Sequence, residues 1–512
     1  MSAGPSVAAI GDVATVPGVA RHSATVDAAM LAVAVVAGAL YSLSPLTVWS
    51  CVWMALLFRW AVAGTDPSER RWLLAILGLA LGLRLVAIGL LPFLVDPKRQ
   101  AYTTYFGDAL YAIQRSIWIR NVFLGVPVAA RDYIEAFEPV FGWSGYNYVL
   151  AYLHVLFGPS PYGIALVSTG LFLTASVMLY RLCRDGFGPV AAFGGLAVLL
   201  FLPSWFAWSV APLKEAMQFF LLTSAIGWTI ALVTGRWPVK ACAMAGIAVA
   251  ILVSGTLRNG GAEIAAAGTG LGAMLWLATR RWWVVAALVL LLPLAAAQLS
   301  RNPQVRVLTA ATVTQAAARH IGHIRTPGSS YRLLDDKFYI DPEVTGPDAP
   351  LTLTFAEGAR FLISSVGAFL TMPLPWDLES AGLLVIVPQQ VVWYAAILLS
   401  VFGAAAGVRR DPLLTFMLVG IIVAAVVVIA PNSGNIGTLI RHRDMVVPFV
   451  CALAGIGGVT VAQRLLAGSI TQLPNSSMTR LPNSSTTRLP NSSMTRLPNS
   501  SMTRLPNYPI TQ

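Results

Sequence analysis

The sequence predicts an all-α fold, a polytopic bundle of about twelve transmembrane helices, because apolar stretches of membrane-spanning length recur along the chain. The mean hydropathy is +0.71 and only 11% of the 512 residues are charged, which excludes a water-soluble globular protein of this size. Each stretch has about 17 to 25 residues, enough to cross roughly 30 Å of hydrocarbon as a helix. That length predicts helices rather than the strands of a closed barrel.

The distribution of basic residues predicts how the crossings are oriented. The crossings cover residues 27–43, 46–63, 72–95, 161–181, 187–205, 213–233, 238–257, 260–279, 281–299, 383–407, 412–430 and 444–463. Basic residues fall in alternate turns, which the positive-inside rule assigns to the cytoplasm. They are Arg59, Arg70, Arg71, Arg181, Arg184, Arg236, Lys240, Arg280, Arg281, Arg409 and Arg410. We therefore expect a multi-pass protein of the plasma (inner) membrane, with both termini cytoplasmic.

The same alternation divides the chain into regions. Residues 1–26 are predicted to be a cytoplasmic N-terminal tail and 27–70 an extra transmembrane hairpin. The main membrane region is 71–299 with an outer loop at 96–160, followed by a late extracytoplasmic loop at 300–382 and C-terminal crossings at 383–470. From Leu473 the octapeptide LPNSSMTR recurs with small changes. Repeated polar copies cannot bury a core, so residues 471–512 are predicted to be a disordered tail.

Cysteine usage and net charge are informative mainly for what they exclude. The four cysteines lie in or beside apolar spans, with no CxxC or Cys/His spacing, so neither a disulfide framework nor a zinc site is predicted. The net charge of +12 comes mostly from turns at membrane edges, where contact with lipid headgroups is expected. Nucleic-acid binding is not indicated.

Asp108, in the string GDALY of the first outer loop, is the leading candidate for chemistry. The pattern of residues 108–123 predicts a helix lying along the membrane surface. In that helix Asp108, Tyr111 and Arg115 share one face, which brings a carboxylate, a phenol and a guanidinium into a common space. The alternative is that Asp108 simply caps the helix N-terminus.

Further charged residues lie within spans or at their predicted outer ends. Arg84 lies inside an apolar span, where a charge tends to line a cavity or to pair with another group. A snorkelling or helix-pairing role is the alternative for Arg84. Lys214 and Glu215 follow Pro212 at the start of another span, where a helix cap and a ligand-binding pair are both consistent with the pattern. Arg258 at a later outer turn has the same two interpretations.

The late loop contributes histidines as well as arginines. His320 and His323 are three residues apart and could share a helix face, but no third metal ligand is evident. The sequence therefore predicts no metal site, although it leaves a role for a divalent cation open. The apolar part near 361–371 is expected to be a re-entrant or surface helix, since a full crossing would break the charge alternation.

Several strings resemble those of the GT-C superfamily of membrane glycosyltransferases, over roughly residues 72–235. They are LRL at 83–85, GDALY at 107–111 and PSWFAWSVAPLKE at 203–215. This superfamily includes protein mannosyltransferases and aminoarabinose transferases, which use lipid-linked sugar donors. PLPWD at 373–377 and GNIGTLIRHRDMVVP at 434–448 are similar to strings of bacterial membrane proteins of exopolysaccharide and other surface-glycan assembly.

The chain also departs from the superfamily pattern. Where protein mannosyltransferases have an Asp-Glu pair, this chain has Gly107-Asp108-Ala109, so Asp108 alone takes the matching position. An extra hairpin precedes the family's first span, and no soluble outer domain follows the bundle.

The resemblance implies a GT-C-like catalytic region in 71–299. Its expected reaction transfers a sugar, with inversion, from a polyprenyl-phosphate-linked donor to a hydroxyl of a lipid, glycan or protein acceptor on the extracytoplasmic face. Asp108 is then the catalytic base. The expected donor-phosphate ligands are Arg84, Arg115, Lys214, Arg258, Arg441 and Arg443. The expected substrate-binding residues are Tyr111, Glu215, His320 and His323.

Three other classes of protein are alternatives: a polysaccharide polymerase or ligase, a transporter, and an inert scaffold, which the charged residues gathered on one face disfavour most. A polysaccharide polymerase or ligase of the O-antigen type also has about twelve spans and a large late loop with Arg and His, and its essential residues would lie in 300–382. A transporter should have two halves with similar span patterns, and no such internal repeat is visible.

Overall fold

A computed structural model describes residues 17–94, 104–137, 145–325, 329–340, 351–374 and 387–471. Within these ranges the protein is all-helical, and the one β-type contact is an isolated bridge between Ser330 and Asn435. Most of the predicted N-terminal tail and all but the first residue of the predicted disordered tail lie outside the described residues. One compact unit covers Met1–Gln463 and a second covers Arg464–Gln512.

The helices follow the predicted order of crossings and outer segments. They are α1 Pro17–Leu43, α2 Pro45–Ala61, α3 Pro67–Leu94, α4 Gly107–Phe123, α5 Ala130–Phe137, α6 Gly145–Phe157, α7 Pro161–Phe187, α8 Pro189–Phe201, α9 Pro203–Ser209, α10 Lys214–Thr234, α11 Trp237–Leu257, α12 Gly261–Arg280, α13 Trp282–Arg301, α14 Pro303–Ile324, α15 Lys337–Ile340, α16 Phe355–Thr371, α17 Val387–Arg410, α18 Pro412–Ile429, α19 Ile436–Arg443 and α20 Val447–Thr471. A 3₁₀ turn, Ala430–Asn432, joins α18 to the segment before α19.

Nine helices of the described chain are long and apolar enough to span a membrane. They are α3, α7, α10, α11, α12, α13, α17, α18 and α20. The helices α8 and α9 form a bent pair, with 66° between them, that adds a tenth span if the pair crosses as one. The two predicted crossings of the N-terminal hairpin fall on α1, which has a shorter apolar stretch at Ala28–Ala39, and on the 17-residue α2. A multi-helix membrane bundle is therefore confirmed, while the count of twelve stays a prediction.

Small residues allow α12 and α18 to approach closely. A Cβ atom added to Gly420 would lie 2.2 Å from the carbonyl oxygen of Gly268, and one added to Gly272 would lie 2.7 Å from the carbonyl oxygen of Phe416. These neighbours are backbone atoms, which cannot rotate out of the way. The crossing thus depends on glycine, as is common where membrane helices pack without a hydrophobic driving force.

The late segment 300–382 contains more regular structure than its sequence suggests. Pro303 begins α14, and the side chain of Asn302 caps that helix by accepting a hydrogen bond from the backbone N–H of Gln304 at 2.9 Å. Thr354 and Glu357 form a reciprocal capping box at the start of α16. The predicted apolar helix near 361–371 falls within α16. Residues 375–386, which include the end of the PLPWD string, lie outside the described residues.

The late segment packs against the turn that precedes α19. The backbone N–H of Tyr331 donates to Gly434 at 3.1 Å, and that of Ile436 donates to Ser329 at 2.9 Å. Arg319 donates to the side chain of Asn432 at 3.1 Å. These bonds hold the C-terminal end of α14 beside the start of α19, which positions both for the site described below.

Gly420→Ala is expected to destabilise the protein by about 1–3 kcal/mol, because the added methyl group must push α18 away from α12. Unfolding temperature in detergent is the appropriate measurement. Gly270→Ala is the matched control, since it changes an exposed glycine of α12 with open space around the new Cβ. An unfolding temperature for Gly420→Ala at or above that of the control would contradict the close crossing.

Candidate functional site

The candidate site is a cavity of about 340 Å³ that is bordered by helices from distant parts of the sequence. The start of α4, the start of α6, the start of α10, the end of α11, the end of α14 and the end of α19 all contribute to its wall. Seven of the predicted site residues line it: Asp108, Tyr111, Arg115, Lys214, Arg258, His323 and Arg441. Segments predicted to lie on the same side of the membrane therefore meet in one place.

Local packing directs the start of α4 toward this cavity. The ring of Phe106, the residue before the helix, lies 5.1 Å from the ring of Trp208 between centroids. Ala109 is fully buried in a cluster with Ala211 and Leu213. Asp108, between Phe106 and Ala109, is left 68% exposed at the cavity.

The alternative role of Asp108 as a helix cap does not hold. Phe106 occupies the N-cap position of α4 without a side-chain capping bond, and Asp108 lies in the first turn. Its carboxylate instead accepts a hydrogen bond from the guanidinium of Arg441. Asp108 is thus directed at a partner that is 333 residues away in the sequence.

Glu215 is the buried centre of an ion network behind the cavity wall. Its side chain is 2% exposed, and its Oε1 accepts from Nε of Arg441 at 2.5 Å and from a terminal nitrogen of Arg258 at 3.2 Å. Arg441 in this way joins Glu215 to Asp108. The sequence predicted a substrate-binding role for Glu215, whereas the structure places it among these arginines and not on the cavity surface.

The network shifts the pKa values of its two arginines in opposite directions. Burial by itself would lower the pKa of Arg441, but the nearby carboxylates of Glu215 and Asp108 raise it above its ordinary value. The pKa of Arg258 is lowered by burial and by Arg441, with Glu215 acting in the opposite direction. Both groups titrate far above neutral pH, so both carry a positive charge at the cavity.

A second pair of predicted residues meets along α4. Arg115 is buried, and its guanidinium carbon lies 4.3 Å from the centre of the Tyr111 ring. One helical turn separates the two residues, which permits this cation–π contact. Both side chains line the cavity, as the predicted shared face requires.

His442 lines the cavity although the sequence analysis assigned no role to it. Its Nδ1 lies 2.7 Å from Oγ of Ser433. Burial, together with the positive charges of Arg258, Arg441 and Lys214, lowers the pKa of His442 well below its ordinary value. The imidazole is therefore neutral at physiological pH. In the sequence, the one indication of a role for His442 is its place between Arg441 and Arg443. The sequence does not show which of these three side chains face the cavity.

Arg84 lies outside the cavity, fully buried between α3 and the bent pair α8–α9. Its guanidinium donates to Oγ of Ser209 at 2.7 Å and to the carbonyl oxygens of Ala80 and Leu200, each at 3.0 Å. The ring of Phe172 lies 4.6 Å from the guanidinium carbon. These contacts fit the helix-pairing alternative, and we leave Arg84 out of the phosphate-binding set.

Arg443 also lies outside the cavity. It donates to the carbonyl oxygen of Phe369 at 3.0 Å and to the side chain of Gln390 at 2.9 Å, and its guanidinium lies 5.0 Å from the ring of Trp393. Arg443 thereby joins α19 to α16 and α17. It too is left out of the phosphate-binding set.

The two predicted histidines of α14 have different environments. His320 is fully buried, with Nδ1 2.5 Å from the carbonyl oxygen of Ser433 and Nε2 3.0 Å from the hydroxyl of Tyr339. Burial lowers the pKa of His320 to about 4. His323 lines the cavity, so of the two it is the one placed to meet a substrate. No group of three or more His, Cys, Asp or Glu side chains in the described residues is arranged to hold a metal ion.

Comparisons with protein families, with curated proteins and with solved structures return no match for this chain. The resemblance to the GT-C superfamily therefore stays a prediction.

Glu215→Gln is expected to destabilise the protein by roughly 3–5 kcal/mol, because it leaves two cationic groups without their buried counter-ion. Thermal unfolding in detergent measures the effect. Asp336→Asn is the control, since it removes one member of an exposed ion pair with Arg332 and should change stability by less than about 1 kcal/mol. Equal unfolding temperatures for the two variants would show that the network does not stabilise the fold.

Proposed function

We propose that the protein is a membrane glycosyltransferase that moves a sugar from a polyprenyl-phosphate-linked donor to an acceptor hydroxyl, with inversion, in the assembly of cell-surface glycans. One observation carries the proposal: an exposed carboxylate, Asp108, shares a cavity with the cations Arg115, Lys214, Arg258 and Arg441. The volume of the cavity is within the range of small-molecule sites. A base next to a cationic surface is the combination that sugar transfer from a phosphate carrier requires.

The carboxylate of Asp108 and the cations of the cavity have different roles in the proposed reaction. The acceptor oxygen forms a bond to the anomeric carbon while the bond from that carbon to the phosphate oxygen breaks. Asp108 takes the acceptor proton and later releases it to water. The bonding electrons leave with the polyprenyl phosphate, which gains negative charge. Cations held in place before the reaction stabilise this developing charge more than they stabilise the donor.

Arg441 has a positioning role in this scheme. It binds Asp108 and Glu215 at once, so the carboxylate of Asp108 is held at the cavity edge. Because Asp108 remains largely exposed, an acceptor hydroxyl can reach it. Tyr146, Asn147 and Thr438 add polar side chains to the wall, and such groups suit the hydroxyls of a sugar.

An extracytoplasmic site is part of the proposal. The positive-inside rule assigns the first long loop, the turn at Lys214, the late loop and the RHR string to the outer face. Residues of all these segments line the cavity, which supports a common side for them. A polyprenyl chain can remain in the lipid while its phosphate enters such a site.

A polysaccharide polymerase or ligase of the O-antigen type is the second candidate. His323, from the late segment that this class would use, lines the same cavity. A transferase adds one sugar per acceptor, whereas a polymerase produces a ladder of lengths and a ligase transfers a finished chain. The size of the products separates these activities.

Asp108→Asn is expected to lower sugar transfer by a factor of about 10² to 10⁴, since an amide cannot accept the proton. Transfer by the purified protein from a lipid-linked donor is the measurement, with the amount of folded protein checked by gel filtration. Asp132→Asn, in α5 of the same outer loop but outside the cavity, is the matched control. Wild-type activity in Asp108→Asn would remove the catalytic assignment.

Labelling with a membrane-impermeant thiol reagent tests the orientation. In a chain without its four native cysteines, a cysteine replacing the exposed Arg131 of α5 should react in intact cells. A cysteine replacing the exposed Arg236 before α11 should react only after the cells are opened. The reverse result would invert the proposed topology.

A further inference from the structure

The cavity carries more positive than negative charge. Lys214, Arg258 and Arg441 line it, and among the described residues the acids that pair with these cations are Asp108 and Glu215. These three cations exceed the two acids by one charge. Such an excess attracts an anion, and the attraction is strong where protein and membrane exclude water.

The existing contacts indicate where in the cavity an anion would bind. Arg258 and Arg441 already donate to Glu215, and Arg441 also donates to Asp108. Within the described part of the chain, neither Nζ of Lys214 nor Nε2 of His442 makes a hydrogen bond. Both side chains line the cavity. These two nitrogens therefore have bonding capacity to offer to a ligand.

The environment of His442 responds to the charge of the ligand. The charged and titratable groups that act on it come from four elements: Lys214 of α10, Arg258 after α11, His323 of α14 and Arg441 of α19. Asp108 and Glu215 oppose them through their ion pairs with the arginines. Burial, and after it the neighbouring cations, keep the pKa of His442 low. An anion placed among them offsets their repulsion and favours the protonated ring.

We propose that the cavity selects a phosphate monoester dianion, bound between Lys214 and His442, and that His442 takes up one proton from water when this dianion binds. The phosphate class of ligand rests on the proposed function. The protonated ring then donates from Nε2 to a phosphate oxygen while Nδ1 stays beside Ser433.

This selection bears on the proposed reaction. The donor is a phosphodiester with one negative charge. The leaving polyprenyl phosphate is a monoester, whose charge approaches −2 near neutral pH. A site matched to the dianion binds the leaving group more tightly than the donor. It therefore stabilises the transition state, in which the second charge develops.

Isothermal titration calorimetry of the full chain in detergent tests the proposal. The probes are farnesyl phosphate, its methyl diester, inorganic phosphate and uncharged farnesol, at pH 7, where a monoester is mostly a dianion. We expect farnesyl phosphate to bind at least about tenfold more tightly than the diester, a difference of about 1.4 kcal/mol. Titrations in two buffers of different ionisation enthalpy should give an uptake of about one proton for the monoester and none for the diester.

Single substitutions assign the proton. His442→Gln should abolish the uptake and weaken farnesyl phosphate binding roughly tenfold, whereas Lys214→Gln should weaken binding and keep the uptake. His323→Gln, which changes another histidine of the same cavity, should keep the uptake. His442→Asn serves as a second variant, and gel filtration verifies that each variant is folded.

Each outcome is decisive for the proposal. Equal binding of monoester and diester, or proton uptake that persists in His442→Gln, overturns it. Inorganic phosphate that binds as tightly as farnesyl phosphate, with the same uptake, supports the anion site and shows that the headgroup alone is recognised. Weaker binding of inorganic phosphate supports recognition of the lipid as well.

The same experiments separate this proposal from the proposed function. Absence of sugar transfer together with selective, proton-coupled binding of the monoester would remove the transferase and leave the anion site. Sugar transfer without selectivity for the monoester would support the transferase and remove the anion site.

Discussion

The arrangement of the site depends on one buried carboxylate. Oε1 of Glu215 accepts hydrogen bonds from Arg258 and Arg441, so a single atom joins the start of α10, the turn after α11 and the helix α19. A buried charge without partners is costly, which favours the one geometry in which all three elements meet. Arg441 extends the network to Asp108 and thus links helix α4 to the C-terminal part of the chain.

Contacts of Asp444 and Trp208 stabilise the helices that carry the Glu215 network. Asp444 accepts hydrogen bonds from Oγ of Ser204 at 2.9 Å and from Nε1 of Trp208 at 2.6 Å. The same Trp208 ring packs against Phe106 and lies 5.9 Å from the guanidinium of Arg441. The bent pair α8–α9 thereby fixes both Phe106, two residues before Asp108, and the helix that carries Arg441. The 66° bend is thus part of how the site is built.

The late segment connects the two candidate functions. The C-terminal end of α14 is held against the turn before α19 by backbone and side-chain hydrogen bonds, and this places His323 at the cavity. A transferase that uses Asp108 and a polymerase or ligase that uses the late loop would therefore draw on the same space. The early and late parts of the sequence, which suggest different enzymes when considered separately, form one site.

The sequence predicts the helical class and the position of most helices, because each membrane span satisfies its own backbone and leaves a local apolar signal. It also indicated Asp108, Lys214, Arg258 and Arg441, because charges are rare in such a chain. The packing of distant helices was needed to show that these residues share a cavity, that Glu215 lies behind it, and that His442 belongs to it. Arg84, Arg443 and His320 carry the same kind of signal but are bonded elsewhere, since the direction of a side chain depends on packing between helices that are distant in sequence.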